Sequence, residues 1–230
     1  MKSNFERATS SLLGRYDELS AKTKETLELT QKGMYEEAEA AMRDVIRMTE
    51  KAALLCRKLP LHTGSPDAQA EVEEILEETC PIQMGFIQRG WFFMRLPPLA
   101  SQKDLANKEY IRGMLYPAMR RFWDGKPTAR MTESVIIFRH VYDFRSEEIR
   151  KRDYDNVEVK FVVDAIAMHL LKDDSPECCE VFHCTARGIE DCMDVFVVPQ
   201  EYFQYWYDVY KECVLDKPVV RDTVPSRWRV

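Results

Sequence analysis

Apolar residues recur at helical spacing through the first sixty positions. Leu12, Leu13, Tyr16, Leu19 and Leu27 form one set, and Met34, Ala38, Ala41, Met42, Val45, Met48, Ala52 and Leu55 form a second. Gly33 separates them, so residues 4–58 read as two helices with a break between. Leu59-Pro60 and the polar run to Pro66 mark a linker. Ser65 followed by Pro66 is a helix start, with Ser as N-cap and Pro in the first turn. The acids at 67, 71, 73, 74, 77 and 78 then suit a third helix, which should stop near Cys80-Pro81. Residues 1–80 are therefore expected to be a helical segment, a hairpin plus a third helix.

The period changes after Pro81. IQMGFIQRGWFFMRLPPL is aromatic-rich, takes Gly85 and Gly90 as turn points, and reads as one or two strands ended by Pro97-Pro98. A loop and a helix follow, with Tyr110, Met114, Leu115, Met119 and Phe122 on one side and Pro117 as a kink. Glu133 to Phe144 is the clearest strand. A helix over about 156–171 comes next, then the strands EVFHCTARG and DCMDVFVVP. Pro199-Gln-Glu opens a last helix rich in Tyr, Phe and Trp, and the tail from Lys217 reads as irregular. The expected class is α+β. Residues 1–80 are helical, 81–200 run β-α-β-α-β-β with a mixed or largely antiparallel sheet, and 201–230 hold a C-terminal aromatic helix and tail.

Composition narrows the function classes. The chain has 230 residues, 45% of them hydrophobic, enough for a substantial core. No apolar run approaches the ~20 residues of a spanning helix, and MKSNFERATSS lacks the apolar stretch of a signal peptide. Seven cysteines are an odd number without framework spacing, as expected of reduced thiols in a cytoplasm. The net charge of −6 is unevenly spread. Residues 1–80 carry 11 Lys/Arg against 16 Asp/Glu, whereas residues 95–130 carry 8 Lys/Arg against 3 acids. A basic segment on an acidic chain reads either as a phosphate-binding footprint or as a solvated helix face. The acidic amphipathic helices of residues 1–80 suit either packing or the binding of a protein partner.

The densest candidate chemistry lies between Asp153 and Asp174. Asp153-Tyr154-Asp155-Asn156 precedes the helix and Lys172-Asp173-Asp174 follows it. Read locally, Asp155 and Glu158 fit a capping box, Asn156 is an alternative cap, and Asp173-Asp174-Ser-Pro is a turn. Read together, the carboxylates suit Mg²⁺, which takes oxygen ligands from one or two carboxylates, water and substrate phosphate. A helix of sixteen residues is roughly 24 Å long. Its two acidic ends therefore meet only if the chain folds back after it or a second subunit supplies its own set.

The same residues resemble the RusA family of Holliday-junction resolvases of phages and other mobile elements. That family's signature is Asp-x-Asp-Asn opening a helix that carries Lys and Asp, then Asp-Asp before a strand. Here the matching residues are Asp153, Asp155, Asn156, Lys160, Asp164, Asp173 and Asp174, and the likeness covers roughly residues 86–200. Lys160 lies one residue further along the helix than in the family. The chain also looks like uncharacterised proteins of bacterial mobile elements. The resemblance implies a RusA-like domain in a cytoplasmic homodimer that hydrolyses phosphodiesters of branched DNA with Mg²⁺ or Mn²⁺. Asp153, Asp155, Asp173 and Asp174 would hold the metal, and Lys160 would steady the scissile phosphate. Lys103, Lys108, Arg112, Arg120 and Arg121 would contact the DNA backbone. The alternative is a catalytically inactive protein of the same fold that binds partners through residues 1–80.

Other constellations are weaker. Cys178, Cys179, His183 and Cys184 cluster, but on a strand 183 and 184 face opposite sides, which argues against zinc. His140 and His169 have no evident partner. The C-terminal aromatics suit packing on a sheet better than stacking on bases.

Overall fold

The computed structural model describes residues 3–80, 82–97, 105–127, 129–145, 159–214 and 219–226. They belong to two units, Met1–Thr79 and Cys80–Val230. In the first, Ser3 caps α1 (Asn4–Gln31) through a reciprocal box with Glu6. The Glu6 amide donates to Ser3 Oγ at 3.1 Å, and the Ser3 amide donates to Glu6 Oε2 at 2.7 Å. These bonds satisfy two helix-end donors that otherwise lack partners. Gly33, at φ +75°, makes the turn into α2 (Tyr35–Lys58). The helices pack antiparallel, with Leu12, Ala38, Ala41 and Ala52 buried. Tyr16 Oη lies 3.1 Å from Cys56 Sγ, and Lys22 pairs with Asp44 at 4.0 Å. A short 3-10 turn, Pro60–His62, leads to α3 (Ala68–Thr79), which ends where the sequence places its stop.

In the second unit the aromatic segment after Pro81 resolves into two strands, β1 (Gln83–Phe86) and β2 (Phe92–Leu96). Gly90 lies in the turn between them, as expected, but Gly85 does not make a turn. Gly85 sits within β1, and a Cβ there would come 2.9 Å from both Arg221 O and Val220 Cβ. The glycine serves a close approach of the C-terminal tail, whose Arg221 exchanges both backbone hydrogen bonds with Phe86 at 2.8 Å. After α4 (Leu105–Trp123) come β3 (Ser134–Asp143), α5 (Lys160–Leu170), β4 (Cys179–Gly188), β5 (Cys192–Pro199) and α6 (Phe203–Tyr210). The fold is α+β, with an N-terminal helical segment and a five-stranded mixed sheet.

Strand order is β1-β2-β5-β3-β4. Neighbours are antiparallel except β3 and β4, which run parallel. Two parallel neighbours need a crossover, and α5 lies within it. β3 has a neighbour on each side and elements on both faces, so Ser134–Val141 is buried without interruption. The connection from β4 to β5 passes over the end of β3. There the Phe144 amide donates to Gly188 O at 2.9 Å and the Asp143 amide to Asp191 Oδ1 at 2.7 Å. α6 covers one face through Trp206, which packs with Trp91, Phe93, Ile137 and Phe196. On the other face Phe122 and Trp123 of α4 meet Phe86 and Phe92, and His169 of α5 stacks on Trp123 at 6.1 Å.

Candidate functional site

The helix expected over about 156–171 is shorter as described. α5 begins at Lys160, with Val159 in the N-cap position and no side chain capping it. Asp153, Asp155, Asn156 and Glu158, and with them the expected capping box, lie outside the described residues. The shortening matters for geometry. Eleven residues span only about 16 Å, so a returning chain can approach the start of the helix.

That return occurs. Leu171 forms a bridge with Met131, and the Lys172 amide donates to Met131 O at 3.0 Å. The chain then turns at Asp173 and Asp174, where the Asp174 amide donates to Asp173 Oδ1 at 2.8 Å. Both carboxylates are exposed. At the start of α5, Lys160 Nζ donates to Asp164 Oδ1 at 3.1 Å, one turn along the helix. This hydrogen bond and the charge of Asp164 raise the Lys160 pKa, and the charges of Asp174 and Tyr116 act in the same direction. The acidic turn beyond α5 thus lies within electrostatic reach of the lysine at its beginning.

Tyr116 places α4 beside the same lysine. Arg112, one turn earlier on α4, holds its guanidinium 5.4 Å from the Tyr116 ring centroid. Arg112 and Arg120 are exposed, and Arg121 is half-buried. On a helical projection Arg120 lies roughly 80° from Arg112 and Arg121 roughly 180°, so the three do not form one patch. Lys103 lies outside the described residues. Lys108 falls on the first turns of α4, where side chains are also outside them.

The donor set suits a hard cation in kind: Asp173 and Asp174 offer only oxygens, beside a lysine and open solvent. Among the described residues no group of three or more His, Cys, Asp or Glu could hold a metal ion. His183 stacks on Phe138 at 5.2 Å and lies 3.3 Å from His140 between ring nitrogens, whereas Cys184 belongs to the core beneath α6. The two residues face opposite sides of the sheet, as their spacing implies.

One polar constellation was not visible in sequence. Arg95, Asp194, Arg139 and Cys184 stand in register across β2, β5, β3 and β4. Asp194 is fully buried and Arg139 is 1% exposed. Arg95 Nε donates to Asp194 Oδ1 at 2.7 Å and its Nη2 to Oδ2 at 3.2 Å, while Arg139 Nη2 donates to Oδ2 at 2.6 Å. Arg139 Nη1 also donates to the Tyr210 and Cys213 carbonyls, at 2.5 and 2.8 Å. Burial disfavours charge on Arg95, but Asp194 outweighs it and the pKa rises. Asp194 therefore neutralises two strands' arginines and, through Arg139, fastens the end of α6. Its partners are 99 and 55 residues away; the only local signal is a charge interrupting each apolar strand.

No helix among the described residues is long and apolar enough to cross a membrane. No curated protein and no solved structure matches the chain. Residues 1–216 match the model of a family of unknown function, DUF6100. The match takes in the helical unit and the sheet alike, and the chain belongs to that family.

Proposed function

We propose that this protein is a metal-dependent endonuclease acting on branched DNA, working as a cytoplasmic homodimer in the manner its acidic motif resembles. The observation that supports the proposal is the turn after α5, which sets the exposed carboxylates of Asp173 and Asp174 side by side, with the charge of Asp174 a lesser influence on Lys160 than Asp164. Asp173 and Asp174, with Asp153 and Asp155, hold Mg²⁺ or Mn²⁺. Such a cation supplies an activated water and offsets charge on the phosphate. Lys160 steadies the scissile phosphate, and Asp164 keeps its ammonium charged and aimed until substrate takes over the contact. Arg112 and Arg120, with Lys103 and Lys108, contact the backbone, which gives affinity without sequence information, while Arg121, half-buried and turned away from Arg112, does not join them. Seven unpaired thiols suit a reducing compartment.

The test is cleavage of a four-way DNA junction by the full chain. Cutting is expected in Mg²⁺ and lost in EDTA, and Asp174→Asn should abolish cutting while leaving junction binding. If junction DNA is neither bound nor cut at low salt with Mg²⁺ or Mn²⁺, the nuclease reading is wrong.

A second reading, an inactive scaffold acting through its N-terminal helices, is favoured by one surface. On α1, Phe5, Leu13, Tyr16 and Leu27 are exposed and fall within an arc of roughly 80°. The other residues of that arc are Thr9, Ser20, Thr23 and Gln31, so it carries no charge. On α2, Tyr35, Met42 and Ile46 are exposed within an arc of roughly 40°. Each arc lies to the same rotational side of its helix's buried positions. In an antiparallel pair this puts both on one side of the hairpin. The occupant we assign is a second copy, which would complete a four-helix bundle. An uncharged face is self-complementary about a two-fold axis. Seven such side chains expose roughly 700 Å² per copy, near the ~800 Å² that a stable partner buries. Sedimentation should give a dimer that Leu13→Glu with Ile46→Glu converts to monomer. A wild-type monomer at high micromolar concentration would remove this interface and the homodimer of the first reading alike, whereas a dimer that cuts junction DNA would remove the inactive scaffold.

A further inference from the structure

At the β1 edge of the sheet, the edge opposite β4, a cavity of about 450 Å³ opens between the β1–β2 turn and the C-terminal tail. Arg89 of the turn and Arg221 of the tail both line it, with Thr223 and Ser226. Phe86, Ile87, Val224 and Pro225 supply apolar wall, and no carboxylate among the described residues lines it. Among the described residues neither arginine has an ion-pair partner, so the cavity wall includes two arginines without a described counter-charge.

The chain holds these two arginines in place by unusual means. Arg89 adopts φ +71°, a left-handed conformation that residues with a Cβ rarely take. The turn is closed around it by the Gly90 amide donating to Ile87 O and the Ile87 amide donating to Trp91 O, both at 2.9 Å. The Arg89 guanidinium carbon lies 4.1 Å from the Tyr205 ring centroid, which fixes its direction. Arg221 is held by its main chain through the paired bonds to Phe86, so that bridge does not need its side chain. Gly85 permits that approach, since any side chain there would strike the tail. Strain concentrated at a residue that faces a cavity is a mark of a binding site.

We infer that this cavity binds a small organic phosphate. Two guanidiniums match a phosphate dianion, which accepts their planar forks of donors. The Thr223 and Ser226 hydroxyls offer further donors, and the apolar wall receives the organic part. The volume lies within the range of small-molecule sites. The site is independent of the acidic turn and of any metal there.

The test uses the full chain without divalent metal, titrated calorimetrically at low salt with phenyl phosphate, inorganic phosphate and phenol. Phenyl phosphate should bind saturably and several-fold more tightly than inorganic phosphate, with phenol showing no binding. Arg221→Gln should weaken phenyl phosphate at least about tenfold without lowering the melting temperature, because the Arg221 bridge is made by backbone. Arg89→Gly should weaken it similarly while holding or raising the melting temperature, since glycine adopts φ +71° without strain. A purely structural role for Arg89 gives the reverse: a lowered melting temperature with phosphate binding unchanged. The inference is overturned if phenyl phosphate does not bind, or if binding survives in both variants. It is also overturned if a short single-stranded oligonucleotide displaces phenyl phosphate with affinity that grows with its length, because the cavity would then be a contact for nucleic-acid backbone.

Discussion

Asp194→Ala tests whether the buried charge line holds the sheet and α6 together. Asp194 has no exposed surface and accepts three charge-assisted hydrogen bonds, two from Arg95 and one from Arg139. Removing it leaves two cations. Arg95 is 13% exposed and already lies 3.7 Å from Glu190, so it retains a partial counter-charge. Arg139 has no such outlet at 1% exposure and keeps no described counter-charge, with the carbonyls of Tyr210 and Cys213 and the face of the Phe196 ring as its remaining partners. Orphaning a buried charge costs about 3–5 kcal/mol, a large part of a typical stability of about 5–15 kcal/mol. For a chain of this size that lowers the melting temperature by roughly 6–20 °C. Urea denaturation followed by tryptophan fluorescence is the appropriate assay. All four tryptophans lie beyond residue 80, and Trp91 and Trp206 are fully buried in the layer that Arg139 secures, so the signal belongs to the sheet unit. Asp194→Leu with Arg139→Met should cost less than the two single changes added together, because neither partner is then left charged and alone. A loss below about 1 kcal/mol for Asp194→Ala, the range of an exposed pair, would refute the argument.

Burial pushes the Cys184 thiol up to about 11 and the Cys192 thiol up to about 12. Above pH about 9 the unfolded chain releases these protons while the folded chain retains them, so stability falls as pH rises toward those values, by about 1.4 kcal/mol per pH unit for each thiol. Urea midpoints at rising pH should show the decline, and Cys192→Ala should reduce its slope; an unchanged slope would contradict the assignment. Gly188→Ala should destabilise the sheet unit by about 1–3 kcal/mol, since the new Cβ would stand 2.5 Å from Val141 Cγ1 where the chain crosses the end of β3. Unchanged stability in a thermal melt would mean that this crossing is looser than described.

Secondary structure was legible because its signals are local. The helical period and the Gly33 break place the first two helices, α3 starts at Ala68 just after the expected Ser65-Pro66 start, and the apolar runs place β3, β4 and β5. Topology was less so. The turn from Gly188 to Cys192 is as short as a hairpin turn, yet β5 does not pair with β4; it passes over β3 and pairs with its far side. Hydrophobicity cannot report this, because β5 is buried from Cys192 to Pro199 and would read the same beside either strand. Gly85 misled for a related reason. A glycine signals either a turn or a close approach, and the approaching segment lies more than 130 residues later.

The basic segment shows why charge counted along a sequence differs from charge presented to a partner. Arg95 belongs to the stretch 95–130 but spends its charge on Asp194 inside the fold. The Lys126 ammonium lies over the Phe122 ring and donates to the Phe122 carbonyl, closing the end of α4. Arg121 is turned about half a circle from Arg112. The exposed cations of described position in that stretch reduce to Arg112, Arg120 and Arg130, the first beside Tyr116 and so beside Lys160, the last reaching the Leu171 carbonyl. Meanwhile Arg89 and Arg221, which fall in no basic stretch, are brought to one cavity by a strained turn and a tail strand. A phosphate-binding surface is made by convergence, and convergence is decided by the elements that carry each arginine. The same logic governs the acids: only the short length of α5 and the turn after it give Asp174 any bearing on Lys160, and neither was fixed by the motif that first drew attention to them.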